Sequence, residues 1–448
     1  MFKKILVANR GEIAIRIIRA AKELGIKTVA VYSSVDRDAL HVKVADQSIC
    51  IGPGPTKDSY LNKSAIIMAA LMTNADALHP GYGFLSEDYL FAKEVRECGI
   101  SYIGPSTKDI ETMGNKVEAR QLVERLKIPT VPGRSVLLNS QADLLKEAKR
   151  LGFPVMLKAA LGGGGKGIRL ISSETELITN FNVIQKESTA SFGRSGVYIE
   201  KYLDHARHIE VQVLGESNGK MHILGERDCS LQLKHQKVIE EAPATVLNEM
   251  DKNTLFKLAL TLVKSIHYLS LGTLEFLFQD GNFYFLEMNT RVQVEHPVTE
   301  FASNLDLIEL QIRVATNEKL NLPEYVKETN GNSIECRLTA QDPFNKFQPS
   351  IGKISSLVLP SGGKDVRIDE GITDGTIVSP YYDSLLAKII VKGSNRDEAI
   401  KKMQGVLTEI HIEGIKTNLP FLKEMICDKR FVKNSYSTVY LDNKVAKV

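Results

Sequence analysis

The chain has no tryptophan and only five cysteines among its 448 residues. Cys50, Cys98, Cys229, Cys336 and Cys427 are odd in number, scattered and free of Cys-x-x-Cys spacing. A disulfide scaffold and a structural zinc site are therefore excluded, and reduced thiols are expected. Apolar runs long enough to cross a bilayer are missing, so no membrane association is expected. The opening Met-Phe-Lys-Lys-Ile-Leu-Val-Ala-Asn enters a strand pattern directly, without a signal region or cleavage site, which predicts a cytoplasmic protein. Charge of one sign is lacking too: 57 basic residues against 54 acidic ones give a formal +3, with no basic stripe to argue for nucleic acid. There is no internal repeat and no low-complexity linker.

What is present is an ordinary globular composition, 43% hydrophobic and 25% charged. At about 100 to 200 residues per domain this length predicts two to four domains. Residues 3 to 8 read as a buried strand, Gly11 as a turn, and Ile13, Ile17, Ala20 and Leu24 as one face of a helix ended by Gly25. A strand returns at Lys27, followed by Gln47 to Ile51 and a strand before His79, with a helix around Ala65 to Met72 between them. The pattern predicts an α/β fold with a parallel sheet over residues 1 to 114. A smaller α+β unit is expected over 115 to 203, and a β-rich remainder over 204 to 448.

A dinucleotide fold needs Gly-x-Gly-x-x-Gly in its first turn, and Asn9-Arg10-Gly11-Glu12 fails that test, so NAD is not expected. His79-Pro-Gly-Tyr-Gly-Phe-Leu-Ser-Glu87 is a Gly-rich turn where open α/β sheets bind ligands, or simply a tight turn. Leu161-Gly-Gly-Gly-Gly-Lys166-Gly lies between two strand-like segments. It is no Walker loop, because Ala160 and Gly167 occupy required Gly and Ser/Thr positions. Its glycines can still bring backbone N–H groups close to phosphate, aided by Lys158 and Lys166; a flexible turn with two solvated lysines is the alternative.

The segment from Gly272 to Asn289 reads as two strands around a three-residue turn at Asp280, Gly281 and Asn282, which sets Glu275 opposite Glu287. Two carboxylates at about 5 Å repel by about 3 kcal/mol at an effective dielectric of about 20, so a cation between them is expected. A two-residue turn would shift the register and defeat this pairing. Asn289 shares the face of Glu287, and an all-oxygen set of Glu275, Glu287 and Asn289 suits Mg²⁺ or Mn²⁺; a solvent-facing pair without metal is the alternative. If the chain stays extended, Arg291, Gln293 and Glu295 follow on the same face. Arg291 then has the geometry to grip a planar oxyanion and Glu295 to take its proton, with a structural Arg291–Glu295 ion pair as the competing reading.

Ala8-Asn-Arg-Gly-Glu-Ile, the His79 to Glu87 string, the Gly162 loop, Glu200-Lys-Tyr-Leu, Arg207-His-Ile-Glu-Val-Gln-Val, Glu226-Arg-Asp-Cys-Ser, the Glu287 to Glu300 string and Pro380-Tyr-Tyr-Asp-Ser together resemble biotin carboxylases of the ATP-grasp superfamily, over nearly the whole chain. The resemblance implies a Rossmann-like first domain, a mobile glycine-rich lid and a β-rich C-terminal part. It implies ATP contacts from Lys116, Lys158, Gly164, Gly165, His208, Gln232 and His235, with Glu200, Lys201, Tyr202 and Leu203 beside the adenine and Leu277 under it. Glu275 and Glu287 would serve ATP through the metal, with Asn289 as a further ligand.

Lys237, Arg291, Gln293 and the Val294 amide would hold bicarbonate, Glu295 would act as base, and Arg337 would stabilise deprotonated biotin, with Tyr82 nearby. His208 and Tyr82 also have structural readings. The implied reaction is carboxylation of biotin through carboxyphosphate, most simply for acetyl-CoA carboxylase in fatty acid synthesis. Pyruvate or propionyl-CoA carboxylase, another ATP-grasp ligase and a non-catalytic ATP sensor are the rivals. No Ala-Met-Lys-Met string is present, so biotin is expected on a separate carrier protein, with a separate carboxyltransferase and a homodimeric assembly. Leu233 and Lys234 replace two arginines usual in the family, and an altered intersubunit or surface contact is expected there.

Overall fold

Apolar runs in the first hundred residues become β1 (Lys4–Val7), β2 (Lys27–Ser33), β3 (Gln47–Gly52), β4 (Ala77–His79) and β5 (Ser101–Tyr102). The computed structural model describes residues 1–133, 140–159, 168–192, 197–326 and 331–446. All five strands pair in parallel, in the order β3-β2-β1-β4-β5. Ile5, Leu6 and Val7 are fully buried because helices cover both faces of the sheet. The helix Gly11–Glu23 presents Ile13, Ile17 and Ala20 to Ile5 and Val7, as its periodicity predicts.

This packing brings the loops after β1 and β4 together at one end of the sheet. The Asn9 amide donates to the Pro80 and Tyr82 carbonyls, both at 2.7 Å. Gly81 is required here: its φ is +64°, and a Cβ would lie 2.8 Å from Asn9 Nδ2.

A second unit contains β6 (Val155–Ala159), β7 (Ile168–Ile171) and β8 (Val197–Lys201), paired antiparallel in the order β7-β6-β8. Lys158 pairs with Ile168, so the strands flanking the glycine run are antiparallel neighbours as expected. Gly162 to Gly167, including Gly164, Gly165 and Lys166, lies outside the described residues.

Among the described residues the largest sheet has eight strands. They are β9 (Arg207–Gly215), β10 (Met221–Leu233), β11 (Gln236–Ala242), β12 (Ser270–Gln279), β13 (Asn282–Asn289), β14 (Asn332–Thr339), β15 (Val366–Glu370) and β16 (Leu385–Gly393). The antiparallel order is β13-β12-β9-β10-β11-β14-β16-β15. At the β13 end, Ile209, Val211, Leu274 and Phe276 pack with Leu255 and Ala259 of the helix Glu249–Ser265. At the other end, Ile239, Cys336 and Ile389 pack with Ile400 and Met403 of the helix Arg396–Glu409. Leu233 belongs to this second cluster and is buried within the chain, while Lys234 beside it is exposed.

The hairpin corrects an expectation. Phe278 pairs with Phe283 and Gln279 with Asn282, so the turn has two residues, Asp280 and Gly281, with φ of +52° and +74°. Such a turn alone would misalign the carboxylates. A bulge between Phe276/Phe285 and Glu275/Glu287 skips Leu286 and restores the pair. Glu275 therefore does face Glu287, for a reason that the alternating pattern hid: Leu286 and Glu287 are consecutive residues that both reach the same cavity. Because an L-residue in left-handed backbone costs about 1–2 kcal/mol, Gly281→Ala should lower stability by about that amount in urea denaturation.

Candidate active site

The face of the large sheet turned away from its apolar clusters carries charge. Glu275 on β12 lies opposite Glu287 on β13 and, on its other side, opposite Glu210 on β9, which in turn lies opposite Arg227 on β10. Arg227 is fully buried. It donates to Glu210 from Nε (3.1 Å) and Nη2 (3.0 Å), to Gln212 at 2.8 Å and to Thr299 at 2.9 Å. Lys237 enters from β11, and its ammonium contacts Glu210, Glu275 Oε1 (3.0 Å) and Glu295 Oε1 (2.7 Å). Lys237 thus serves Glu210, Glu275 and Glu295, while Glu287 is approached by Lys116 Nζ at 3.8 Å.

Beyond Asn289 the chain leaves the sheet, bends at Thr290 and Arg291, and turns at Val294 and Glu295 into the helix His296–Ser303. The expectation of a continuous extended run is corrected. Alternation nevertheless survives as far as Gln293. Asn289, Arg291 and Gln293 line the cavity while Val292 packs under β1, and the turn then adds both Val294 and Glu295.

Arg291 does not pair with Glu295. Its Nε donates to Glu87 Oε2 at 2.8 Å, Nη1 to Gln293 Oε1 at 2.9 Å and Nη2 to Asn289 Oδ1 at 2.9 Å. Glu295 is fully buried, with Oε1 on Lys237 and Oε2 accepting from Arg337 Nη2 at 2.8 Å. Burial works to raise its carboxyl, but Lys237 and Arg337 outweigh it and hold Glu295 below the usual carboxylate range. Glu287 goes the other way, raised by burial and by Glu275.

A cavity of about 660 Å³ gathers most of the residues read from the sequence. Lys116, Lys158, His208, Gln232, His235, Lys237, Glu275, Glu287, Asn289, Arg291, Gln293, Val294, Glu295, Arg337 and Tyr82 all line it. Glu200, Lys201, Tyr202, Leu203 and Leu277 are not among its lining residues. Glu200 acts one step back, holding the Lys158 ammonium at 2.5 Å while it also pairs with Arg120. His208 Nε2 lies 2.9 Å from Glu275 Oε2, and Gln232 Nε2 lies 2.8 Å from its Nδ1. Burial opposes protonation of His208, yet Glu275 and Glu210 raise it to about 9.

The donor set fits a hard divalent cation. Buried Glu275 faces Glu287, whose side chain is 33% exposed, and the proton affinity of Glu287 is raised by burial and by its neighbour's charge, a repulsion that a divalent ion relieves. Asn289 turns its Nδ2 toward Glu275 at 2.8 Å and its oxygen toward Arg291, so serving as a ligand requires its amide to rotate.

Sequence reasoning assigned no role to several groups here. Glu87 holds Arg291, and Glu12 accepts from the Tyr82 hydroxyl. Lys388, fully buried, donates to the Val294 carbonyl at 3.0 Å and pairs with Glu12 at 3.0 Å. Tyr381, Tyr382 and Asp383 also reach the cavity. Their only sequence signal was membership of the strings Ala8 to Ile13, His79 to Glu87 and Pro380 to Ser384. Lys388 had none, because a single lysine in the apolar run Leu385 to Val391 looks like a strand edge. No helix among the described residues is long and apolar enough to cross a membrane.

Comparison with known proteins follows the same division of the chain. The family described as "Biotin carboxylase, N-terminal domain" matches residues 1–110, "Carbamoyl-phosphate synthase L chain, ATP binding domain" matches 115–323, and "Biotin carboxylase C-terminal domain" matches 335–443. The chain is 46% identical over 444 residues to Biotin carboxylase 1 of Bacillus subtilis, covering 99% of this chain and 98% of that one. It is 45% identical to the mitochondrial propionyl-CoA carboxylase alpha chain of Mus musculus, covering 99% of this chain and 61% of that one. Among solved structures it superposes with a TM-score of 0.95 and 45% identity on the biotin carboxylase domain dimer of Hydrogenobacter thermophilus 2-oxoglutarate carboxylase, covering 99% and 98% of the two chains; that structure holds MgADP, ADP and bicarbonate.

Lys237 is the cation on which the buried carboxylates most depend. Burial disfavours its charge, but Glu210, Glu275 and Glu295 raise its proton affinity well above that of a free lysine. Lys237→Met leaves three buried acids without it, and by analogy with broken buried ion pairs should cost about 3–5 kcal/mol in urea denaturation.

Proposed function

The chain belongs to the biotin carboxylases, and from that premise we propose that it performs the first half-reaction of acetyl-CoA carboxylase: ATP, bicarbonate and carrier-bound biotin are converted to ADP, phosphate and carboxybiotin through carboxyphosphate. The observation that carries the residue assignment is the clamping of Glu295 between Lys237 and Arg337, at 2.7 and 2.8 Å, inside the cavity that Arg291 and Gln293 also line. A carboxylate held by two cations is a weak base. Bicarbonate drawing Lys237 toward itself, and the biotin carbonyl drawing Arg337, would each release Glu295 and raise its basicity when the substrates are in place.

In this reading Arg291, kept in plane by Glu87, grips the oxyanion together with Gln293 and the Val294 amide. Lys116, Lys158, His208, Gln232 and His235 bind ATP, with Glu200 holding Lys158 upright and Gly164 and Gly165 closing over the phosphates. Segment Glu200 to Leu203 and Leu277 flank the adenine. Glu275, Glu287 and Asn289 would hold Mg²⁺ or Mn²⁺, which when bound supplies neutralisation of the phosphate charge. Arg337 then meets the negative charge on biotin, with Tyr82 at the pocket wall. Closing the glycine-rich lid would keep water from the labile intermediate.

We assign the three parts, 1–114, 115–203 and 204–448, to the Rossmann-like unit, the lid unit and the catalytic sheet with its C-terminal extension. The proposed partners are a biotin carboxyl carrier protein, a carboxyltransferase and a second copy of the chain, in the cytoplasm. Relatives named for propionyl-CoA and 2-oxoglutarate are as similar as those named only for biotin carboxylase, which fits acceptor choice by the carboxyltransferase rather than by this cavity.

ADP release measured with bicarbonate and free biotin, alone and together, tests the reading; no stimulation by biotin at any workable concentration ends it. Glu295→Gln should leave ATP affinity nearly intact and abolish carboxybiotin formation, and unchanged turnover would remove Glu295 from the base role. Freeing Arg291 by Glu87→Ala should raise KM for bicarbonate about tenfold, equivalent to about 1.4 kcal/mol of lost ground-state positioning, with KM for ATP little changed.

A further inference from the structure

Arg337 is held from behind as well as from the cavity. While Nη2 donates to Glu295, Nε donates to Glu240 Oε1 on β11 at 2.5 Å. Glu240 is fully buried and is not among the cavity's lining residues. Directly opposite it across the β11–β14 pairing sits Glu335, also fully buried and two residues before Arg337, hence on the same face of β14. Cross-strand partners of this kind bring their Cβ atoms to about 4.5–5.5 Å.

The charged groups around the pair are Arg337 on β14, Lys237 on β11, Lys388 on β16 and Glu295 at the start of the following helix. Lys237 is committed to Glu210, Glu275 and Glu295, and Lys388 to Glu12 and the Val294 carbonyl. Among the described residues Arg337 forms the only ion pair with either acid, and it reaches Glu240 alone. Neither Glu335 oxygen, nor Glu240 Oε2, has a hydrogen-bond partner among the described residues. Two neighbouring carboxylates in a dehydrated sheet, with one guanidinium touching one of them, do not both stay ionised.

We propose that Glu240 is the positioning residue for Arg337 and that Glu335 beside it is held as a neutral acid, so that the pair presents one negative charge to the guanidinium. That single charge anchors the Nε edge in the sheet and leaves the Nη edge free to exchange Glu295 for an anionic ligand. A second charge would draw Arg337 back toward the sheet, and loss of the first would drive it onto Glu295. Burial raises both carboxyls, Glu240 to about 7 against the pull of Arg337, and Glu335, with Glu240 beside it, well above the ordinary range against the pull of Lys388, which puts the proton on Glu335.

The inference rests on the reading that Arg337 serves the biotin step, and the test separates the two. The full chain and its Arg337→Met, Glu240→Gln, Glu240→Asp and Glu335→Gln variants are compared by the ratio of biotin-stimulated to bicarbonate-only ADP release, with melting temperatures recorded alongside. Glu335→Gln, whose amide mimics the neutral acid, should keep the ratio within about twofold, while Glu240→Gln should lower it about tenfold or more and Glu240→Asp restore part of it. If Arg337→Met leaves the ratio unchanged, the biotin reading of Arg337 fails. If Arg337→Met lowers it but neither Glu240 variant does, the positioning role is overturned. If Glu335→Gln falls as far as Glu240→Gln, the neutral-acid assignment is overturned. A Glu240→Gln chain that does not fold leaves Glu240→Asp to decide: a ratio like that of the unsubstituted chain despite the shortened carboxylate overturns the positioning role, and a lowered ratio upholds it.

Discussion

The contact on which the site depends is the Lys237 ammonium among Glu210, Glu275 and Glu295. Each of those carboxylates is at least nine-tenths buried, and each sits on a different element: β9, β12 and the turn that precedes the helix His296–Ser303. Burying charge is costly unless opposite charge is buried with it. The sheet meets that condition by setting Arg227 and Lys237, on two neighbouring strands, against the row of acids, and by letting Glu335 abandon its charge. What results is a dehydrated surface whose cations are already in place and already occupied. A substrate anion entering it competes with protein carboxylates for cations that need no reorganisation to receive it.

This arrangement makes Glu295 and its neighbours one unit. Glu295 is weak while both cations hold it, so its chemistry is conditional on ligands that draw the cations off. The same logic runs through Lys388, which ties the Val294 carbonyl of the turn before Glu295 to Glu12, and through Glu12 to Tyr82 on the loop after β4. The parallel sheet and the large antiparallel sheet are therefore joined at the cavity by hydrogen bonds to ionised groups, in addition to the apolar contact of Val292 with the helix Gly11–Glu23.

Much of this was legible in the chain. Ile13, Ile17 and Ala20 announced the first helix. Glu275, Glu287 and Asn289, an all-oxygen set in the sequence, do line one cavity. The hairpin shows how a correct pairing can come from an incorrect register. Counting residues back from a three-residue turn set Glu275 against Glu287, whereas the fold uses a two-residue turn and a bulge at Leu286. A bulge has no fixed composition, and both Leu286 and its neighbours suit a regular strand, so period-two reading passes over it.

By itself the sequence determined which segments become helix and strand, because apolar periodicity and capping residues act within a few positions along the chain. It also set Glu287 and Asn289 on one face, since alternate residues of a strand share a face whatever the rest of the chain does. Only the tertiary structure decided which charges meet. Arg291 went to Glu87, Glu295 to Lys237 and Arg337, and Glu240 to Arg337 with Glu335 alongside. Those partners lie 42 to 204 residues apart for the ion pairs quoted. Pairing at that range follows from strand order and burial, where the cost of an unpaired charge selects its partner, and neither is written in any single stretch of residues.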